Sequence, residues 1–283
     1  MSLHAWRRFS ADRVIVMAAP NGARRTRADH PALPLTPEEQ AADAVCLKEA
    51  GASVLHLHVR DEEGGHTLEP DRYREAIAAI RAAVGDELIL QITTEAVGRY
   101  GPAEQMQVVE AVQPEAVSVA LREILPAGAD EAPVARFFAG LAARGCWPQV
   151  ILYSAADAQR FDELRQRGVF GDPAPFALFV LGSYAAATPG RVADLEAILG
   201  AVDASEFPWA VCCFGREELT VMRFASEQGG HVRIGFENNL EFPDGSRAPD
   251  NASLVRRFAR GIAGTGRGLA TAAEIRSALL GIS

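Results

Sequence analysis

The chain lacks any apolar run approaching the roughly 20 residues that a membrane-spanning helix requires, so no span is expected. Its first residues, Met1-Ser2-Leu3-His4-Ala5-Trp6-Arg7-Arg8, carry no apolar core of the kind a secretory signal needs. A cytoplasmic location is therefore expected. Cysteine is scarce: Cys46, Cys146, Cys212 and Cys213 show no C-x-x-C spacing and no disulfide framework. Basic residues are in deficit, 28 Lys and Arg against 37 Asp and Glu, for a net charge of −9. A nucleic-acid binder usually carries the opposite field. That class is set aside, although a local basic pocket is compatible with the total. No stretch rich in Pro, Ser or Gly divides the chain, and one domain over residues 1–283 is expected.

What the sequence does hold is alternation. Hydrophobic residues make up 48% of it, enough for an extensive core. Short apolar or β-branched runs at 13–18, 53–59, 88–93, 116–119, 149–153, 176–181, 210–213 and 231–235 read as strands. Helical patterns fall between them at 36–50, 71–84, 103–111, 134–143, 156–167, 191–202 and 216–228. Two more follow at 250–263 and 271–280. Thr36-Pro37-Glu38-Glu39 is a start signal, with an N-cap, a proline in the first turn and a carboxylate three residues on. Gly51 lies where a left-handed C-cap is wanted.

Eight strands with eight following helices predict a closed (β/α)₈ TIM barrel. An open doubly wound sheet is the rival, and it often shows a Gly-rich dinucleotide fingerprint after its first strand. Here Ala19-Pro20-Asn21-Gly22-Ala23 does not match that pattern. In a barrel, chemistry belongs to the loops after the C-terminal ends of the strands.

The strongest local signal lies in Val54-Leu55-His56-Leu57-His58-Val59-Arg60-Asp61. Side chains at i and i+2 of a strand share a face, so His56 and His58 point together into the barrel mouth. Two neutral imidazoles so placed suit a divalent metal, zinc first. The competing interpretation is a pair of hydrogen-bonded polar residues in a barrel layer. A third ligand is expected from another strand end, and His231-Val232-Arg233-Ile234-Gly235-Phe236-Glu237 supplies a carboxylate on the continuing face of Arg233 and Gly235. Spacing alone leaves Glu237 open to being a surface acid. Two histidines and one glutamate would leave coordination positions for substrate or water.

Taken together, Ala18-Ala19-Pro20-Asn21-Gly22-Ala23, Leu33-Pro34-Leu35-Thr36-Pro37-Glu38-Glu39, the stretch from Glu49 to Asp61 and Gly229-Gly230-His231 through Asn239 resemble the β-keto acid cleavage enzymes. The resemblance spans nearly the whole barrel. It implies a homo-oligomer, tetramer or dimer, and a zinc ion held by His56, His58 and Glu237. It implies a retro-Claisen exchange in which acetyl-CoA and a β-keto acid give acetoacetate and a new acyl-CoA. Arg233 matches the family's arginine beside the reacting groups. Thr93 and Thr94 fall where the family binds the substrate carboxylate, and Ser118 matches a further hydroxyl.

Three departures from the family pattern matter. Asn238 stands where an aspartate commonly pairs with the arginine, and an amide cannot take a proton. Strand five reads Pro148-Gln149-Val150-Ile151-Leu152-Tyr153 and lacks a frequent glutamate. Arg24 follows Gly22-Ala23, where a glutamate receives the amine of an amino-bearing substrate; an anionic or neutral tail is expected instead. Arg24, Arg25 and Arg27 fit an anionic tail or CoA phosphates, and equally a solvated loop. Glu95 and Glu123 follow strands at the active-site end and are candidates for the missing base, Glu95 first because it adjoins the threonine pair. Both also fit ordinary solvated acids. His66, beyond Gly64-Gly65, and His30, before a proline, are expected to be solvated loop residues. The alternative function is a CoA-independent zinc lyase or hydrolase on the same site. A non-catalytic metal-binding barrel is the third.

Overall fold

A computed structural model of the chain describes residues 3–172, 175–183, 188–262 and 264–280. Among them eight parallel strands form the barrel: β1 (Val16–Ala18), β2 (Val54–Leu57), β3 (Ile89–Thr93), β4 (Ala116–Ala120), β5 (Trp147–Leu152), β6 (Phe176–Ser183), β7 (Trp209–Cys213) and β8 (His231–Ile234). Each is buried through most of its length, which accounts for the near-continuous apolar runs that parallel strands require. The ring closes where β8 pairs with β1, Val232 beside Val16, and β5 with β6, Gln149 beside Phe176.

The connecting helices are α1 (Pro37–Ala50), α2 (Pro70–Val84), α3 (Pro102–Val112), α4 (Ala132–Ala143), α5 (Ala155–Gln166), α6 (Val192–Leu199), α7 (Glu218–Glu227) and α8 (Asn251–Ile262). α1 begins as its sequence dictates. The Thr36 hydroxyl accepts from Glu39 N, and the Glu39 carboxylate accepts from Thr36 N. Gly51 ends the helix in the left-handed conformation, at φ 107°. Outward strand residues such as Leu55 and Leu57 pack with helix residues including Leu47, Tyr73 and Ile80 in the outer core. Each fully buried side chain of this kind contributes roughly 1.5–3 kcal/mol.

Inward residues make a second core. Its floor contains Met17, Val54, Ile89, Trp147 and Phe176, sealed from below by Trp6 of a helix over Leu3–Asp12 and by Ile275. Trp6 meets Phe176 edge-on, with ring centroids 5.4 Å apart. Above this floor the interior turns polar, with His56, Gln91, Ser118, Gln149 and Arg233 all buried. That change of polarity along the barrel axis sets the site at the C-terminal ends of the strands.

Several boundaries differ from the sequence-based expectation. The Leu3–Asp12 helix was not expected, because its apolar residues face the barrel floor rather than a βα partner. Arg13–Val14 leaves the barrel ladder and pairs with Gly268–Leu269. The second strand stops at Leu57; Val59–Arg60 turns away to pair antiparallel with His66–Thr67. The seventh helix starts at Glu218 rather than 216, and the eighth covers Asn251–Ile262, position 263 lying outside the described residues. The last expected helix is a short α-turn, Ala272–Ile275, followed by a π-helical turn over Arg276–Leu280. Among the described residues no helix is long and apolar enough to cross a membrane.

Candidate active site

The break after Leu57 positions His58. With the ladder ended, its carbonyl accepts from Asn21 Nδ2 at 3.0 Å and from Gln40 Nε2 at 2.7 Å. Both donors are buried and fix the backbone beyond the strand end. The two imidazoles still turn to one side: His56 Nε2 and His58 Nε2 are 3.1 Å apart, with the rings at 76°.

Glu237 completes the group. Its Oε2 lies 3.6 Å from His56 Nε2 and 3.3 Å from His58 Nε2. One donor atom from each of the three residues falls within 4.8 Å of the others. Glu237 reaches this point because Gly22 makes room. A Cβ on Gly22 would stand 2.5 Å from Glu237 Cγ, and its φ of +63° already favours glycine. Gly235, at φ +150°, lets the turn before Glu237 press against the Ala19 carbonyl.

The protonation pattern follows from the neighbours. His56 Nδ1 lies 2.8 Å from Gln91 Oε1, and Gln91 directs its amide nitrogen to Gln149 Oε1 at 3.4 Å. That chain assigns the proton to His56 Nδ1 and leaves Nε2 as a lone pair. Burial pushes the His56 pKa down to about 4 and that of His58 well below the usual value, so both rings are neutral near pH 7. Burial would raise Glu237, but the Arg233 guanidinium, ion-paired with it at 2.8 Å, holds its carboxyl well below the usual range. Glu237 Oε2 has no hydrogen-bond partner among the described residues although it is buried. The His56 Nε2 lone pair, the His58 Nε2 and a buried carboxylate oxygen thus face one point. Such a donor set fits a divalent cation with open coordination positions.

Arg233, inside the barrel on β8, donates through Nη2 to Glu237 Oε1 at 2.8 Å, with Asn238 Oδ1 at 3.4 Å and Cys212 Sγ at 3.3 Å. Asn238 is buried, and its Nδ2 has no partner among the described residues. Above these groups opens a cavity of about 330 Å³. His56, His58, Glu237 and Arg233 line it, together with Thr93, Ser118, Glu95 and Arg24. Thr93 stands beside Ser118 across the β3–β4 register, and the buried Ser118 Oγ has no partner among the described residues.

Thr94 is not brought to this cavity. Its hydroxyl donates to Ser118 O at 3.0 Å and meets Gln105 Oε1 at 3.3 Å, because it is the outward neighbour of Thr93. Arg27 also lies elsewhere, exposed and ion-paired with Glu39. Arg25 lines the cavity and donates to the Glu237 carbonyl at 3.3 Å. Arg24 is half exposed and holds Glu95 at 3.9 Å.

Glu95 is no freely solvated acid. Its side chain is 27% exposed, with Oε2 3.9 Å from His58 Nδ1. Burial, reinforced by Glu237 and Glu123, pushes its pKa up to about 7. Glu123 lines the same cavity and accepts from Ala96 N at 3.0 Å. His66 and His30 are buried, contrary to expectation. The hairpin of Val59–Arg60 and His66–Thr67 folds His66 against His58, with ring centroids 5.2 Å apart, and its Nε2 meets the Glu95 carbonyl at 3.1 Å. His30 packs on Phe236 with ring centroids 4.2 Å apart, its Nε2 on the Ala248 carbonyl.

Gln91, Gln149, Arg122 and Tyr153 were missed from the sequence. The glutamines carried a usable signal, since amides at inward positions of a barrel strand need polar partners. Arg122 and Tyr153 carried only their place at strand ends.

A parallel barrel whose mouth gathers two neutral imidazoles, a carboxylate and a buried arginine defines a candidate metal-dependent barrel enzyme. The chain matches the beta-keto acid cleavage enzyme family over residues 13–281, belongs to it, and is an acyl-transferring carbon–carbon cleavage enzyme. It is 32% identical over 273 residues to a 3-keto-5-aminohexanoate cleavage enzyme of Fusobacterium nucleatum, covering 95% of this chain and 98% of that one. A 3-oxoadipate:acetyl-CoA acetyltransferase of Cupriavidus necator is 30% identical over 277 residues, 95% and 94% of the two chains. Among solved structures, a ternary complex of ObcA with a C4-CoA adduct and oxalate superposes with a TM-score of 0.68. That match is 17% identical and covers 89% of this chain and 68% of the other; it supports the fold.

Proposed function

We propose that this protein cleaves a β-keto acid by exchange with acetyl-CoA, using zinc held by His56, His58 and Glu237. The observation that carries the metal is the convergence of His56 Nε2, His58 Nε2 and a buried Glu237 carboxylate oxygen within 4.8 Å of one another. Bound there, the ion would act as a Lewis acid toward the keto oxygen of the substrate. In the exchange, R–CO–CH₂–COO⁻ and acetyl-CoA give acetoacetate and R–CO–CoA. The bond between the keto carbon and the CH₂ breaks, the CH₂ carbon joins the acetyl carbonyl, and the CoA sulfur ends on R–CO.

The protein's own groups divide the remaining work. Arg233 balances negative charge beside the reacting carbons, anchored by Glu237 at 2.8 Å. Thr93 and Ser118 offer adjacent hydroxyls to the substrate carboxylate; Thr94 supports them from behind. Glu95 takes the proton from the CH₂ carbon as it becomes a nucleophile and returns it at the end. Its position in the cavity wall beside Thr93 and His58 supports that role, and Asn238 has no capacity for it. Arg24 favours an anionic or neutral tail over an amine. Assembly as a homodimer or homotetramer in the cytoplasm belongs to the same proposal.

A coupled assay tests it. Purified zinc-loaded protein is given acetyl-CoA and a panel of β-keto acids, and acetoacetate and new acyl-CoA are measured together. Their stoichiometric appearance is the expected result. Cleavage without acetyl-CoA would replace this proposal with the CoA-independent lyase or hydrolase. Metal analysis and light scattering of the same sample check the zinc and the assembly.

A further inference from the structure

The metal group and the opposite wall of the cavity lie on different sides of the barrel. His56 and His58 belong to β2 and its end, and Glu237 follows β8, so the group straddles β1. In an eight-stranded ring the strands facing β1 are β4 to β6. Two cavity residues stand at the ends of β4 and β5: Arg122, two residues past Ala120, and Tyr153, directly after Leu152.

These two side chains form one unit. The Arg122 guanidinium carbon lies 3.6 Å from the centroid of the Tyr153 ring. A guanidinium laid on an aromatic face keeps its N–H groups directed outward along its edges, where a carboxylate is met in bidentate fashion. Among the described residues no carboxylate lies within ion-pair distance of Arg122. Its neighbour Glu123 is engaged instead with the Ala96 amide. The other cavity arginines are committed: Arg233 to Glu237, Arg25 to the Glu237 carbonyl, and Arg24 toward Glu95. The cavity therefore holds one more arginine than it holds acids, and the surplus cation is fixed opposite the metal group. Between the poles the wall is partly apolar, with Ile151, Val180 and Phe214, which suits methylene carbons.

We infer that Arg122, stacked on Tyr153, receives the second carboxylate of a β-keto dicarboxylic acid and is the specificity-determining residue of this enzyme. The inference rests on the β-keto acid function proposed above and names its substrate class. A substrate with an apolar tail would bring a methyl group against the exposed guanidinium edge and leave its donors to water. A dicarboxylate would satisfy both poles at once. Phosphates of CoA are the other anions able to reach Arg122, and the kinetic arms separate the two.

The experiment uses full-length zinc-loaded protein with two acids of equal chain length, 3-oxoadipate and 3-oxohexanoate. With acetyl-CoA present, kcat/KM for the diacid is expected to exceed that for the monoacid by about ten- to hundredfold, the range of a charge-assisted hydrogen-bonded pair. In Arg122→Gln that ratio falls toward one, chiefly through KM for the diacid, and Arg122→Lys restores part of it. A wild-type preference for the monoacid overturns the inference, as does an equal loss on both acids. A rise confined to KM for acetyl-CoA overturns it too and assigns Arg122 to the CoA phosphates. Titration calorimetry without acetyl-CoA reads the inference even if neither acid turns over. Weaker diacid binding in Arg122→Gln would then support the subsite while the exchange reaction failed, and unchanged binding would refute the subsite.

Discussion

Gln91 is the most informative side chain to perturb, because its one acceptor atom decides the tautomer of His56. Gln91 and His56 are both buried, and their contact is 2.8 Å long. In Gln91→Leu the Nδ1–H is left without an acceptor in a site closed to water. An unsatisfied buried donor costs about 1–3 kcal/mol. The ring escapes part of that cost by moving its proton to Nε2, but Nε2 is the atom that faces the proposed metal position. Metal binding must then reverse the tautomer, and the cost is charged to affinity. Losses of roughly 10–100-fold are typical when a partner behind a ligating histidine is removed. At about 1.4 kcal/mol per tenfold, that range agrees with the cost of the orphaned donor. Zinc affinity of metal-free protein, measured by competition with a chromophoric chelator, should weaken by this amount. Gln91→Glu keeps an acceptor opposite Nδ1 and should recover the affinity. The thermal midpoint of the metal-free proteins separates a ligand effect from loss of fold. Zinc bound as tightly by Gln91→Leu as by the parent would refute the assignment of the lone pair to Nε2.

Glu95→Gln should lower kcat by about 10²–10⁴-fold, the usual worth of a positioned acid–base group, with zinc content unchanged; full activity would remove Glu95 from the chemistry. Arg24→Glu should weaken turnover of the native substrate and improve an amino-bearing one, and an amino-bearing acid as the best wild-type substrate would contradict it. Asn238→Asp should bring no sharp gain if Glu95 moves the proton, and a large gain in kcat would transfer that role to position 238. Glu218 is buried under Gly235 and Asn239, and burial raises its pKa from 4.5 to about 8. The folded protein then holds a proton that the unfolded chain has released, so this contribution to stability is present below the ordinary value and is lost as pH rises toward 8. Thermal midpoints between those limits should fall less steeply in Glu218→Gln, and identical pH profiles would count against the buried proton.

What was legible in the sequence, and what was not, follows the direction in which periodicity carries information. Along a strand, alternation assigns faces, so His56 and His58 could be placed together, and Arg233 and Glu237 on one continuing face. The same rule separates Thr93 from Thr94: neighbours alternate, and Thr94 turns toward Gln105. Helix ends were legible for a similar reason, since the Thr36 cap and the Gly51 stop are local chemistry. Around the barrel no such rule operates. His56 meets Gln91 because the β2–β3 register sets them side by side, and the whole of α2 intervenes in the chain. Gln149 joins that pair from β5, and Arg122 finds Tyr153 only because β4 and β5 are neighbours. His66 shows the same limit from the other side. Gly64-Gly65 correctly signals a turn, yet the turn folds back over the mouth and buries the imidazole against His58. The candidate metal ligands were thus open to sequence reasoning because two of them lie two residues apart, on a strand and just past its end. The residues that set their protonation, and the arginine that faces them, gain meaning only from closure of the ring.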